Sequence, residues 1–174
     1  MFRPDTHTMA KPTGAHVHAA KQLLTHAGAV GSDREDLAER AAAAWRLYEK
    51  LFTALAPVIG AAGVRALFAR SVKLTKAEFS CLAGIAIAPE PTSAEAVFTG
   101  SPSHSPPETN VSVARQVVDC LSKQDAATAS EVAISLYATF FGLMSSFIGE
   151  RLVWRLVKKA FPAMNETGPF KEIE

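Results

Sequence analysis

The sequence has few of the residues that mark a disulfide scaffold or a secreted protein. It contains only two cysteines, Cys81 and Cys120, each in an apolar or helical context, among 174 residues. Two such cysteines are typical of reduced thiols, so the sequence predicts a cytoplasmic location and no disulfide framework. The N-terminus lacks the apolar core of a secretory signal, and residues 1–15 are expected to be a mobile segment.

The sequence also has almost no net charge. Its 18 Lys and Arg residues nearly balance 17 Asp and Glu residues, which gives +1 at pH 7. No long-range field therefore steers the whole chain toward nucleic acid or an anionic membrane, and only local patches could bind either. With 48% hydrophobic and 20% charged residues, the composition is typical of a globular domain with its own core.

No arrangement of residues typical of a catalytic or cofactor site is present. Residues 60–63, Gly-Ala-Ala-Gly, lack the Lys and the Ser or Thr of a phosphate-binding loop. His16 and His18 are two residues apart, which places them about 200° apart around a helix, too far for one metal ion. Cys120 follows Asp119, whose charge disfavours a thiolate. The sequence predicts no enzymatic activity, no cofactor and no metal.

Helical signals dominate what is present. Alanine is abundant, apolar residues recur at helical spacing, and no alternating run favours a strand. Capping patterns begin at Ser32, Thr75 and Thr128, each with a Glu three residues later. The predicted fold class is all-α, a compact bundle of six or seven helices. The predicted helices cover residues 17–26, 33–58, 62–72, 76–86, 111–123, 129–147 and 150–161.

One apolar pattern occurs twice, at a fixed offset of 89 residues. Residues 47–68 and 136–157 align without a gap, and Leu, Tyr, Phe, Ile and Gly recur at equivalent positions. Gly60 and Gly149 are equivalent and each follows an Ile, so each copy predicts a helix, a glycine break and a second helix. We interpret this as an internal duplication. Two hairpins related by a pseudo-twofold axis would bury their apolar faces against each other.

This interpretation implies one helical domain over residues 16–164. Its repeat halves cover about 32–88 and 110–162. The connection between them, 88–109, contains five prolines and is typical of a linker or long loop. A polar tail, 165–174, follows the domain.

The second copy is more apolar than the first. Residues 132–149 carry no charge, whereas the first copy carries Glu49 and Lys50. A helix that is apolar on all sides is central in a core, lies at a subunit interface or crosses a membrane. A membrane span is the least favoured of these three. The equivalent helix of the first copy is charged, and an uncharged stretch of this length barely reaches across a membrane. The sequence favours a homodimer interface. The residues predicted to form it are Phe141, Met144, Phe147 and Trp154.

Each copy continues after its glycine into a cationic helix. Two such helices could straddle a phosphate backbone, so nucleic-acid binding is an alternative function. The same cations could also complement helix dipoles or cover solvated faces, which the low net charge favours. The residues concerned are Arg65, Arg70 and Lys73 in the first copy and Arg151, Arg155, Lys158 and Lys159 in the second.

The leading functional hypothesis is a non-catalytic helical binding protein. It would act as a homodimeric adaptor or regulator, or as a small subunit of a larger assembly. The expected partner is a second copy or another protein, with nucleic acid as the alternative and a membrane the least favoured. A small-molecule sensor with a pocket between the halves is a further alternative.

Overall fold

The computed structural model describes residues 12–28, 37–87 and 109–162. Regular secondary structure within these residues is entirely helical, which confirms the predicted all-α class. The capping pattern at Ser32, most of the Pro-rich connection and the polar tail lie outside them. The described residues form five α-helices and one short 3-10 helix rather than the six or seven helices predicted. These are α1 (Gly14–Ala27), α2 (Leu37–Thr75), the 3-10 helix Ser80–Gly84, α3 (Thr109–Ser122), α4 (Ala126–Ile148) and α5 (Glu150–Ala160).

Two glycines interrupt helical backbone at the positions where the sequence predicts breaks. The longest helix, α2, continues through Pro57 and kinks at Gly60, where φ is 79° and ψ is 151°. Gly149 separates α4 from α5 with φ 88° and ψ 142°. The two glycines thus share a positive-φ conformation that residues with a Cβ rarely adopt. The part of α2 before its kink, residues 37–59, is called the first limb of α2.

Two predicted helix starts are wrong. Thr75 begins no helix, because its hydroxyl donates to the Ser71 carbonyl oxygen, 2.9 Å away, in the last turn of α2. A turn and the 3-10 helix replace the helix predicted over 76–86. At α4 the cap is Asp125 rather than Thr128. The Asp125 carboxylate accepts two backbone N–H groups of the first turn, at 3.1 and 3.0 Å, so α4 begins about one turn early.

The core lies where α2 packs against α4. Helix α4 also packs against α1 and α5, while α3 packs against α2. Every residue of 136–144 is buried. Both α2 and α4 are long and apolar enough to cross a membrane by length and composition, but 61% of the apolar window of α4 is buried inside the fold. Only 22% of the corresponding window of α2 is buried, and the large apolar side chain of α2 that is exposed is Val58.

Aromatic side chains join the two long helices. The rings of Phe68 and Tyr48, both on α2, lie with their centroids 4.5 Å apart. Phe68 also meets Phe140 of α4 edge to face, with centroids 5.7 Å apart. The Tyr137 hydroxyl donates to the Ala44 carbonyl oxygen at 2.6 Å. Burial raises the pKa of Tyr137, so the phenol stays a neutral donor that ties α4 to α2.

Candidate functional site

The four side chains predicted to form a dimer interface do not share one surface. Phe141, Met144 and Trp154 are only 1%, 0% and 3% exposed and belong to the core of the single chain. Phe147, near the end of α4, is 67% exposed. The apolarity of α4 therefore serves mainly its contacts with the neighbouring helices of the same chain. The dimer interface remains a prediction, and among these four residues only Phe147 is available to a partner.

Exposed apolar side chains recur next to the two glycine breaks. Among the described residues, the exposed large apolar side chains are Val17, Val58 and Phe147. Val58 and Phe147 are equivalent under the offset of 89, and each is followed by a half-buried Ile and then the glycine. We call residues 58–60 and 147–149 the glycine corners. The same kind of apolar surface thus occurs at both corners.

The basic residues of the nucleic-acid alternative lie mostly at the surface. Arg65 is half-buried, and its guanidinium lies 5.8 Å from the centroid of the Phe52 ring, so part of its surface is covered by its own helix. Within the described part of the chain, none of the seven basic residues forms a salt bridge. Their side chains are therefore able to contact an anion. Those fully exposed are Arg70, Lys73, Arg151, Arg155 and Lys159, while Lys158 is half-buried.

A groove of about 640 Å³ lies between the first limb of α2 and α5. Sequence reasoning missed it because its two walls are 100 residues apart in the chain and each wall alone resembles an ordinary exposed helix face. Its volume falls within the range of about 300–1,000 Å³ that is typical of small-molecule sites. The groove is lined by Arg46, Glu49, Lys50, Thr53, Ala54, Pro57, Val58, Leu156, Lys159 and Ala160.

A buried polar cluster joins α1 to α4 around His16, which is 5% exposed. Its Nδ1 accepts the backbone N–H of Thr13 at 3.0 Å, in a reciprocal cap at the start of α1. The neutral ring therefore carries its proton on Nε2, which donates to Ser145 Oγ at 3.1 Å. The ring also contacts Trp154, with centroids 5.7 Å apart. No local pattern predicts this cluster, because His16 and Ser145 are 129 residues apart.

The Ser145–His16 pair has the spacing of a nucleophile and its base but the wrong proton arrangement. A catalytic His presents an unprotonated nitrogen to the Ser hydroxyl and is oriented through its other N–H by an acceptor. Here the nitrogen that faces Ser145 is the protonated one, because Nδ1 already accepts the Thr13 N–H. The pair is therefore suited to holding α1 against α4 rather than to activating a hydroxyl.

We expect His16 to make the stability of the fold depend on pH. Burial lowers the pKa of His16 below its ordinary 6.5, although the Glu150 carboxylate opposes this. As the pH falls below 6.5, His16 binds a proton more readily in the unfolded chain than in the folded chain. The contribution of His16 to the free energy of unfolding is therefore complete above pH 6.5 and is lost between pH 6.5 and the lower pKa of the folded state. Urea unfolding of the wild type should show this loss, and His16→Gln should lack it.

The exposed His18 provides the control for this prediction. His18→Gln should keep the pH dependence of the wild type, because His18 is exposed and lies outside the buried cluster around His16. The remaining carboxylates titrate in all three proteins, so the difference between the two variants isolates His16. Equal slopes of unfolding free energy against pH in the wild type and His16→Gln would contradict the assignment.

The two cysteines are neighbours, and the Cys120 thiol is not activated. Both are free and half-buried. The Cys120 thiol donates to the Cys81 carbonyl oxygen at 3.1 Å. Burial and the adjacent Cys81 thiol raise the pKa of Cys120 to about 12, so the nucleophilic thiolate is scarce at neutral pH. Within the three described segments, no cluster of three or more His, Cys, Asp or Glu residues could hold a metal.

Comparison with known proteins assigns no family to the chain. It matches no protein-family model, no curated protein and no solved structure. Function is therefore inferred from the glycine corners, the groove and the buried polar cluster.

Proposed function

We propose that this chain is a non-catalytic helical binding protein that self-associates through its glycine corners. The observation that carries the proposal is the exposure of two equivalent apolar residues, Val58 at 44% and Phe147 at 67%. A side chain as exposed as Phe147 offers apolar surface that a second copy could bury, and self-complementary surfaces commonly close twofold dimers. A homodimeric adaptor or regulator, or a small subunit of a larger assembly, would present such a surface.

The proposal includes an internal duplication. Gly60 and Gly149 have similar φ and ψ angles, 79° and 151° against 88° and 142°. The equivalent residues Val64 and Val153 are buried to the same degree, at 0% and 1% exposure. Helix α3 packs against α2 as α1 packs against α4. These parallels support two copies related by a pseudo-twofold axis. The two glycine corners would then be structurally equivalent.

Phe147 is expected to supply most of the apolar contribution to association. Removing an exposed Phe side chain from water stabilises a complex by about 1.5–3 kcal/mol. A twofold dimer would bury the side chain once from each subunit. Since about 1.4 kcal/mol corresponds to a tenfold change in Kd, losing these contacts should weaken the dimer by at least about tenfold.

We therefore expect Phe147→Ser to shift the chain from dimer to monomer. Multi-angle light scattering or sedimentation velocity over a concentration series would measure the change in Kd. Val17→Ser is the matched control, because Val17 is 41% exposed but lies outside both glycine corners. It should leave the Kd within about twofold of the wild-type value, as surface substitutions away from an interface usually do.

Two outcomes would contradict this proposal. A wild-type chain that stays monomeric at high concentration would contradict self-association. Equal increases in the dimer Kd from Phe147→Ser and Val17→Ser would show that the glycine corner is not the site of association. A monomer that is retarded by DNA or RNA at low salt, and released as salt rises, would instead favour the nucleic-acid alternative.

A further inference from the structure

The groove between the first limb of α2 and α5 has a charged end and an apolar end. Arg46 and Lys50 lie one turn apart on α2, and Ala54, Pro57 and Val58 follow them along the same wall. Val58 follows Lys50 by eight positions, a rise of about 12 Å along the helix axis. Positive charge and apolar surface are therefore separated along the length of the groove.

The second wall repeats this polarity in the reverse chain direction. On α5, Leu156 comes first and Lys159 and Ala160 follow. The Lys50 Nζ atom lies 5.4 Å from the centroid of the Phe161 ring, which places the C-terminal end of α5 beside the cationic part of α2. The basic ends of the two walls thus meet, and the apolar parts lie together beyond them.

The three cations at this end outnumber the single carboxylate beside them. Arg46, Lys50 and Lys159 form no salt bridge within the described residues, and Glu49 is the single carboxylate that lines the groove. Like charges at positions i and i+4 of a helix, as in Arg46 and Lys50, repel each other. An anion bound here would relieve that repulsion.

The apolar end is open because its side chains are small or short. Ala54 and Pro57 leave space beside Leu156. A hydrocarbon chain laid in this part of the groove would leave water together with the protein surface that it covers. The volume of about 640 Å³ suits a small molecule rather than a folded partner.

We propose that this groove binds a free amphiphilic anion, a carboxylate carried on a hydrocarbon chain. The carboxylate lies among Arg46, Lys50 and Lys159, and the hydrocarbon chain lies along Ala54, Val58 and Leu156. The inference goes beyond self-association and does not rest on it, although Val58 belongs both to the groove and to the first glycine corner. The groove then gives the chain a small-molecule ligand of defined chemistry.

Isothermal titration of the full chain with dodecanoate, below its micelle-forming concentration, tests the proposal. Saturable binding with one site per chain is expected. Lys50→Glu and Lys159→Glu should each weaken it at least tenfold, because each reverses a charge at the carboxylate. Lys73→Glu makes the same charge change at an exposed position of α2 outside the groove, and it should leave the affinity unchanged.

Two further ligands separate the contributions of the charge and of the hydrocarbon chain to the binding affinity. Dodecyltrimethylammonium, with the same chain and the opposite charge, should not bind saturably, and butanoate should bind too weakly to measure. Ala54→Phe should fill the apolar end and abolish dodecanoate binding while the helical circular dichroism stays unchanged. The Phe147→Ser protein should bind dodecanoate as the wild type does, so a failure of self-association leaves this result unaffected.

Three results would overturn the proposal. They are an absence of saturable dodecanoate binding, equal affinity in the wild type and Lys50→Glu, and equal weakening by Lys50→Glu and Lys73→Glu. Co-sedimentation with anionic phospholipid vesicles, without binding of the free acid, would also overturn it and would indicate a membrane surface instead.

Discussion

Phe140→Ala is expected to lower the free energy of unfolding by about 3–5 kcal/mol, the usual cost of deleting a buried Phe ring. Phe140 is 1% exposed and lies where α4 meets α2. Its ring packs against Phe68 with centroids 5.7 Å apart and against Phe141 at 6.1 Å. Truncation removes both contacts and leaves a cavity between two helices that the packed core holds in place. Urea unfolding followed by circular dichroism would measure the loss.

Phe147→Ala is the matched control on the same helix. It makes the identical chemical change at a side chain that is 67% exposed. At a concentration where the chain is monomeric, it should change the unfolding free energy by no more than about 0.5 kcal/mol, as surface substitutions usually do. Similar losses from the two variants would mean that Phe140 is not at the centre of the core.

Gly149→Ala and Gly60→Ala are each expected to destabilise the chain by about 1–3 kcal/mol, the cost of holding a non-glycine residue in a glycine-only backbone region. The expected loss comes from backbone strain and not from steric crowding. A Cβ built at either glycine meets no other atom within 4 Å, so φ of 88° and 79° is the remaining source of strain. Chemical denaturation of each variant would measure the loss.

Gly63→Ala provides the control for both glycine corners. Gly63 lies inside α2, and an added Cβ there would make ordinary contacts of 3.6 Å or more with Ile59. This change should be neutral or stabilise the chain by about 0.5–1 kcal/mol, because alanine favours a helix interior over glycine. If Gly149→Ala changed the free energy of unfolding as little as Gly63→Ala, the positive φ assigned to residue 149 between α4 and α5 would be contradicted.

The fold class and the glycine breaks could be predicted because they depend on local rules. Apolar spacing and abundant alanine specify helices wherever they pack, and an Ile-Gly pair after a long amphipathic run specifies a break. The duplication itself remains a proposal.

The two wrong helix starts occur where a residue that fits a helix cap can form a different hydrogen bond. Thr75 fits a helix cap, but its hydroxyl donates to Ser71 and extends α2 instead. Glu78, the expected reciprocal partner, accepts the hydroxyl of Ser135 on α4 at 3.0 Å. Asp125 and Thr128 both fit the start of α4, and the earlier residue forms the cap. The bonds of Thr75 and Asp125 are local, and only the bond between Glu78 and Ser135 is a tertiary contact.

The candidate sites were harder to predict because they depend on long-range packing. The sequence assigns the excess apolarity of α4 to a subunit interface, whereas Phe141, Met144 and Trp154 fill the core of one chain. Helices α1, α2 and α5 surround α4 closely enough to cover most of it. Neither the His16–Ser145 hydrogen bond nor the groove has a local signal, since each joins residues about 100 or more positions apart.

The central claim is that α2 and α4, one helix from each half of the proposed duplication, form a single core. A double-mutant cycle on Phe68 and Phe140 tests it most directly, because their edge-to-face contact joins α2 to α4. Phe68→Leu, Phe140→Leu and the double variant keep the core apolar while removing the ring pair. A coupling energy of about 0.5–1.5 kcal/mol is expected for such a pair. Additive losses, with no coupling energy, would contradict the shared core.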